Sequence, residues 1–282
     1  MAATGSEWHL NDPCSRGWLR ASARAGAPSI RINRRRSACC LDESQNRLKV
    51  NEMNDKNGYV GSENLELMET AVRYTNFVGR IVRQSLPESG QIIEFGSGTG
   101  SQTSRVIGPH PRFTCVEINP DLQTRLRSKG YQAVGNLDEI RANSTSGVFS
   151  INCLEHVKDD ELILGKIFEC LQPGGVLVLY VPAMPSLFSA MDKLVGHERR
   201  YRRRRLVEKV RQVGFEGVAA KYVDSLGVIP SYLYKLVPKA SGVPSPLGLK
   251  IYDTFVFPLS RVVDHFTGRL FGKNIFLVAG KP

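Results

Sequence analysis

The run Ile92-Ile93-Glu94-Phe95-Gly96-Ser97-Gly98-Thr99-Gly100 constrains this chain more than any other stretch. Two β-branched residues lead into an acid, and three glycines then alternate with small residues. The pattern predicts a buried strand running into a tight turn. Glycine lets the backbone take positive φ and lets a ligand approach without Cβ interference. The turn is expected to open a helix whose free N–H groups face that ligand. An acid just before the turn repels a pyrophosphate and suits a ligand carrying an ammonium group. The spacing G-x-G-x-G also differs from the G-x-G-x-x-G of dinucleotide sites.

Beyond Gly100 the chain repeats a strand-helix order. Arg112-Phe113-Thr114-Cys115-Val116-Glu117 reads as the second strand, and Asn119-Pro120-Asp121 starts a helix. Glu117 stands about 20 residues past the glycine turn, the offset at which an acid reaches ribose hydroxyls in doubly wound sheets. A third strand is expected at Tyr131–Val134. After it, Asp138 is a candidate either for an adenine amino group or for a helix cap. Gly147–Cys153 is a short apolar run leading to Glu155 and His156. Leu162, Ile163, Ile167 and Leu171 then recur at helical spacing. Pro173-Gly174-Gly175 breaks that helix, and Val176–Val181 reads as a parallel strand covered on both faces. The alternation predicts a parallel α/β sheet with right-handed crossovers.

Taken together, Glu94-x-Gly96-x-Gly98-x-Gly100, Glu117, Asn152-Cys153-Leu154-Glu155-His156 and Pro173-Gly174-Gly175 resemble the ordered motifs of class I S-adenosylmethionine-dependent methyltransferases. Gly196-His197-Glu198-Arg199-Arg200-Tyr201 is similar to a signature of bacterial members of the small-molecule type. The resemblance runs from about Tyr59 to the C-terminus. It implies a Rossmann-like, doubly wound α/β fold of seven strands with an antiparallel last strand. The further strands fall near Gly217–Val223 and at Asn274–Ala279. It also implies a cofactor, S-adenosylmethionine, which carries an ammonium and a sulfonium. Glu94 and the backbone of Gly96, Ser97, Gly98 and Gly100 would hold its methionine part. Glu117 would bind the ribose with Ile118 beside it, Leu137 and Asp138 would lie at the adenine, and Asn152 and Cys153 at the floor of the reaction site. Glu94 stands where Asp is commoner in the family.

Glu155, His156 and His197 are the candidates for catalysis. His156 has an ordinary pKa near neutrality and suits a general base; a capping or core histidine is the competing reading. One helical turn separates His197 from Tyr201, so a shared helix face is expected. Glu155 suits positioning of an acceptor hydroxyl or pairing with an Arg.

Domain organisation is set by composition. Residues 1–55 hold Arg16, Arg20, Arg24, Arg31, Arg34, Arg35, Arg36, Arg47 and Lys49 among small and polar residues, without an apolar period. This predicts a disordered basic tail, which resembles a transit peptide in its Arg bias. Met53 offers an alternative start. Residues 56–282 form the methyltransferase domain. Within it, the apolar, aromatic segments between about 225 and 270 are expected to cap the acceptor pocket, with a membrane-surface role as the alternative. Neither segment reaches the roughly 20 apolar residues of a membrane span.

Six cysteines, Cys14, Cys39, Cys40, Cys115, Cys153 and Cys170, show no metal spacing. No metal is expected, and a reducing cytoplasm is the expected location, with peripheral contact at the inner membrane surface as the alternative. Much of the net charge of +11 lies in Arg199, Arg200, Arg202, Arg203, Arg204 and Arg205. That run suits phosphate binding or a solvated helix face, with Asp192 or Glu198 to compensate it. Three functions are open: methyl transfer to a small, partly apolar or lipid-like acceptor through O, N or C; RNA methylation through the Arg run; and a non-catalytic nucleotide-binding module. The absence of an added RNA-binding module argues against nucleic acid.

Overall fold

Strands buried on both faces set the architecture of the computed structural model, which describes residues 69–236 and 245–282. The tail, with Met53, Cys14, Cys39 and Cys40, lies outside the described residues, as do residues 237–244. The described residues fall in one unit, Gly61–Pro282.

The chain begins with helix α1 (Val72–Ser85) and strand β1 (Gln91–Phe95), followed by a short α2 (Thr103–Val106) and β2 (Phe113–Val116). Helix α3 (Pro120–Ser128), β3 (Gln132–Val134), β4 (Thr145–Ile151), α4 (Asp160–Cys170) and β5 (Leu171–Pro182) come next. Then come α5 (Ala190–Leu194), α6 (Arg203–Val213) and β6 (Glu216–Val223). Helices α7 (Val228–Leu236), α8 (Pro246–Ile251) and α9 (Phe257–Thr267) precede β7 (Asn274–Gly280), with a π turn at Tyr252–Val256 leading into α9.

The seven strands form one sheet in the order β3-β2-β1-β4-β5-β7-β6. β1 to β5 are parallel, and β7 runs antiparallel to both β5 and β6. This is the expected doubly wound sheet with its antiparallel last strand. All of β4 is buried, as is Val176–Pro182 of β5, because helices cover both faces. One face packs Phe113, Phe149 and Tyr180 against α1; the other packs Val148, Leu177 and Leu179 against α4 and α6. Each such side chain contributes about 1.5–3 kcal/mol by leaving water.

Local chemistry explains the helix ends. Asn119 accepts the N–H groups of Asp121 and Leu122, and Pro120 takes the first helical position, so α3 is capped as its sequence indicates. Helix α6 ends at Gly214 in the left-handed conformation.

Three expectations are corrected. The helix after the glycine turn has only four residues, because Gly108, Pro109 and Pro111 come close behind it. It supplies little dipole, and the amides of Gly96, Ser97, Gly98 and Gly100 are bonded within the chain rather than free, which leaves the turn's carbonyls to meet a ligand's ammonium. Strand β5 starts at Leu171 rather than Val176: Leu171 already pairs with Thr145, and Pro173-Gly174-Gly175 forms an irregularity in the ladder before Val176 meets Gly147. Third, His197 and Tyr201 do not share a helix face. Tyr201 pairs with Ala183 as an extended bridge, and helix α6 begins only at Arg203.

The segment between β6 and β7 is anchored to α1. Asp253, from the π turn, accepts the N–H of Arg73 at 3.0 Å and of Tyr74 at 2.8 Å. A carboxylate nearly 180 residues away thus caps the start of α1. Phe257 adds an edge contact with Tyr74, 5.3 Å between ring centres, and a tilted contact with Phe77 at 5.5 Å.

Candidate active site

The carboxyl ends of β1, β2 and β4 meet at the glycine turn. Gly96, Gly98 and Gly100 all have positive φ, at 79°, 53° and 79°. At Gly96 the packing is as demanding as the φ: a Cβ there would fall 2.1 Å from Cys153 Sγ. Only a glycine lets the start of the turn lie against the end of β4. Cys153 comes directly after Asn152, itself in the left-handed region at φ 48° with its N–H donating to Tyr180 O at 2.8 Å. Asn152 tolerates that conformation better than other non-glycine residues.

Glu94 ends β1 almost wholly buried, and its Oε2 accepts the Thr103 hydroxyl at 2.5 Å. Burial pushes its carboxyl up; bonds from Thr103 and Ser97 offset part of that, nearby Glu117 adds to it, and the result is about 7. A cation arriving at the turn would restore the charge. Glu117 is also buried, and it ties two loops together: Gly98 N–H donates to Oε2 at 2.8 Å and Asn119 N–H to Oε1 at 3.0 Å. Each oxygen retains a lone pair, so the carboxylate still accepts from adjacent hydroxyls. Ile118 between them is 74% exposed, an apolar surface beside the acid. Leu137 is buried, while Asp138 is exposed and bonded to Lys166 at 2.7 Å through Oδ2. Asn136, not Asp138, caps this turn. These groups present a buried acid, an open-backbone turn, a diol acceptor and an apolar ledge in sequence. That set fits the ammonium, ribose and adenine of S-adenosylmethionine.

Just past β4, the 3₁₀ turn Leu154–His156 meets the extended segment around Gly196. Glu198 N–H donates to Glu155 O at 2.9 Å and fixes the two segments side by side. His156 Nδ1–H donates to Gly196 O at 3.2 Å, and His197 Nδ1–H donates to Asp192 Oδ1 at 2.7 Å. The two rings meet edge to face with centres 4.7 Å apart. His197 Nε2 lies 3.8 Å from Glu155 Oε1. The three residues named from sequence for catalysis therefore come together.

Their charges are set by burial. Glu155 is fully buried and burial pushes its carboxyl up to about 8, despite Arg200 nearby. Burial, reinforced by His197, lowers His156 to about 4, so its ring is neutral at physiological pH. Burial alone would raise Asp192, yet bonds from His197, Arg200 and Ser189 hold it well below the usual carboxylate range. Burial keeps the Cys153 thiol protonated, with Glu155 adding to the effect, which excludes it as a thiolate nucleophile at neutral pH.

Sequence reasoning missed several partners. Thr103 on Glu94, Glu69 on the Thr99 hydroxyl at 3.1 Å and Lys129 on Thr99 O at 2.8 Å brace the turn. Lys273 lies over the ring of the buried Tyr74, 5.8 Å from its centre. Asp192 was legible only as a partner for arginine, and it does bind Arg200 Nε at 2.8 Å. No local pattern announces its bond to His197.

Comparisons with known proteins bear on the family and the fold. Residues 68–220 match the family model described as a methyltransferase domain. Over 112 residues the chain is 30% identical to trans-aconitate 2-methyltransferase of Deinococcus radiodurans, a stretch covering 37% of this chain and 43% of that enzyme. The matched stretch thus spans less than half of that relative's length. Among solved structures, a SAM-dependent methyltransferase of Thermotoga maritima, described as a possible histamine N-methyltransferase, aligns with a TM-score of 0.52. It shares 16% identity over 79% of this chain and 96% of its own. A chain from the complex between the Haloferax volcanii Trm112 methyltransferase activator and a methyltransferase aligns with a TM-score of 0.54 and 15% identity, over the same shares. These structures share the fold. With the family model covering over half of it, the chain belongs to the class I S-adenosylmethionine-dependent methyltransferases.

Proposed function

We propose that this enzyme methylates a small, partly apolar or lipid-like acceptor through an O, N or C nucleophile. The observation that carries this reading is the apolar exposure of α7 and of the π turn with α9. Ile229, Leu233, Phe255, Leu259, Val262 and Phe266 are each between 57 and 82% exposed. A water-soluble surface rarely spends this many large apolar side chains on one inserted segment without a partner. An acceptor with an apolar portion, taken up directly or from a membrane surface, gives them one. Among the described residues no helix is long and apolar enough to cross a membrane.

When bound, S-adenosylmethionine supplies a methyl group already made electrophilic by its sulfonium. The chain's work is positioning. Glu94 and the backbone of Gly96, Ser97, Gly98 and Gly100 hold the methionine end, and Glu117 accepts the ribose hydroxyls. Ile118 and Leu137 flank the adenine, with Asp138 at its edge. Asn152 and Cys153 form the floor. Beyond them, Glu155, His156 and His197 face the acceptor. His197 is the best-oriented base, because Asp192 holds its Nδ1–H, so that the neutral ring turns its lone pair out on Nε2. His156 is neutral and available as well.

The Arg run supports this reading over RNA methylation. Arg199 pairs with Asp160 and Lys158 O, Arg200 with Asp192, Arg203 with Ala220 O, and Arg205 with Glu208. Four of the six arginines are thus engaged within the chain. The test is incubation with methyl-labelled cofactor and separated lipid, small-molecule and RNA fractions of cells. Label is expected in the lipid or small-molecule fraction; label confined to RNA would overturn the proposal.

A further inference from the structure

Glu155 is an anomaly in the core. It is fully buried, yet neither carboxylate oxygen has a hydrogen-bond partner among the described residues. Buried charges and polar groups are ordinarily paired, because burial without a partner forfeits their hydration. Two imidazoles face it, with the ion pair of Arg200 and Asp192 close by. One ligand atom from each of Glu155, His156 and His197 lies within 4.8 Å of the others.

The histidines are prepared in a particular way. The partners of both Nδ1 atoms, Gly196 O and Asp192 Oδ1, can only accept. Each ring must therefore carry a proton on Nδ1, and in the neutral imidazole that leaves the lone pair on Nε2. A backbone carbonyl or carboxylate behind the distal nitrogen is the arrangement that orients metal-binding histidines and fixes their tautomer. Asp192 is itself braced by Ser189 N–H at 2.9 Å, the Ser189 hydroxyl at 3.0 Å and Arg200.

We propose that Glu155, His156 and His197 form a binding site for one divalent transition-metal cation, with a position left open to solvent or to the acceptor. Two imidazoles and one carboxylate suit zinc, cobalt or manganese rather than magnesium, which prefers oxygen. Metal–ligand bonds of about 2.0–2.2 Å require neighbouring ligand atoms roughly 3–3.5 Å apart. The observed 3.8 Å between His197 Nε2 and Glu155 Oε1 needs only a small closing movement. The cation would supply the missing partner of Glu155. His156 and His197 stand far apart in sequence, which is why no short metal motif appears. The site goes beyond the methyl-transfer reading, since cation binding needs no acceptor and is measured without one.

The test is calorimetric titration of the full chain with zinc, manganese and magnesium chlorides, together with the visible spectrum of the cobalt(II) form. One zinc per chain is expected, with weaker magnesium binding and a cobalt spectrum free of thiolate charge transfer. Glu155→Gln and His197→Ala should each weaken zinc by at least about tenfold, while S-adenosylmethionine affinity, measured alongside, reports that the variants are folded. The triple substitution Cys14→Ser, Cys39→Ser, Cys40→Ser should leave zinc binding unchanged. Absence of stoichiometric zinc binding would overturn the proposal. So would zinc affinity that depends on the cysteines, or that survives both folded ligand variants.

Discussion

The amide of Gly98 donates to the carboxylate of Glu117 at 2.8 Å, joining the turn after β1 to the loop after β2. The acid named from sequence as a ribose ligand therefore also shapes the turn. Removing it acts twice: the diol loses its acceptor and the Gly98 N–H loses its partner. A hydrogen bond to a charged group contributes about 1.5–3 kcal/mol. Glu117→Ala is thus expected to weaken S-adenosylmethionine binding by roughly 10- to 100-fold, with Glu117→Gln in between. Calorimetry with the purified variants decides it. Affinity unchanged in Glu117→Ala would remove Glu117 from the cofactor site.

Gly96→Ala tests the contact between the turn and β4. The new methyl would sit 2.1 Å from Cys153 Sγ, at a φ of 79° that L residues avoid. Strain of this kind costs of order 1–3 kcal/mol, so thermal midpoint and cofactor affinity should both fall. Adding Cys153→Gly removes the clash but not the φ penalty, and should restore part of the loss. No recovery in the double variant would mean that the backbone alone forbids a side chain. At Gly98, φ 53°, the long side chain of Gly98→Arg should abolish cofactor binding by filling the turn; retained affinity would displace the pocket.

Stability should depend on pH in two opposite windows. Glu94 is raised from 4.5 to about 7 in the folded state. The folded protein therefore holds a proton that the unfolded chain releases, and stability falls as pH rises from about 4.5 towards 7. The full shift corresponds to about 3 kcal/mol. His156 is lowered from 6.5 to about 4, so its contribution is present above 6.5 and is lost as pH falls towards 4. Denaturant titrations from about pH 4 to about pH 8 should show both limbs for the wild type. Glu155, raised to about 8, adds to the same limb, so Glu94→Gln should shrink the first limb in part and leave the second, whereas Glu94→Gln with Glu155→Gln should flatten the first. Saturating S-adenosylmethionine should also shrink the first, because its ammonium restores the Glu94 charge. A first limb unchanged in Glu94→Gln would remove Glu94 as a contributor.

The sheet was legible because parallel strands buried on both faces read as unbroken apolar runs, and Val176–Val181 and Gly147–Ile151 alternate with helical patterns as such a sheet requires. The glycine turn was legible because positive φ restricts residue choice. Less visible was whatever depends on distant pairing. Asp253 caps α1 from the far end of the chain, and Asp192 orients His197 from a separate short helix. Neither bond leaves a periodic trace. The helical reading of His197 and Tyr201 failed for a related reason. A four-residue spacing is also met in an extended segment, and here Tyr201 turns to Asp160 at 2.9 Å while His197 turns to Asp192.

The acceptor side is tested by the two histidines. If His197 takes a proton from the acceptor, or binds the group that polarises it, His197→Ala should lower kcat by about 10²–10⁴-fold and leave S-adenosylmethionine affinity nearly unchanged. His156→Ala should also lower kcat, since its ring lies against that of His197 with centres 4.7 Å apart, but its KM for acceptor should move little. Asp192→Asn keeps the volume but weakens the orienting bond and exposes Arg200 to an unpaired site; it should fall between wild type and His197→Ala. Single-turnover rates with saturating cofactor separate these steps from product release. Wild-type rates in both histidine variants would restrict the cluster to binding and leave positioning alone to account for methyl transfer.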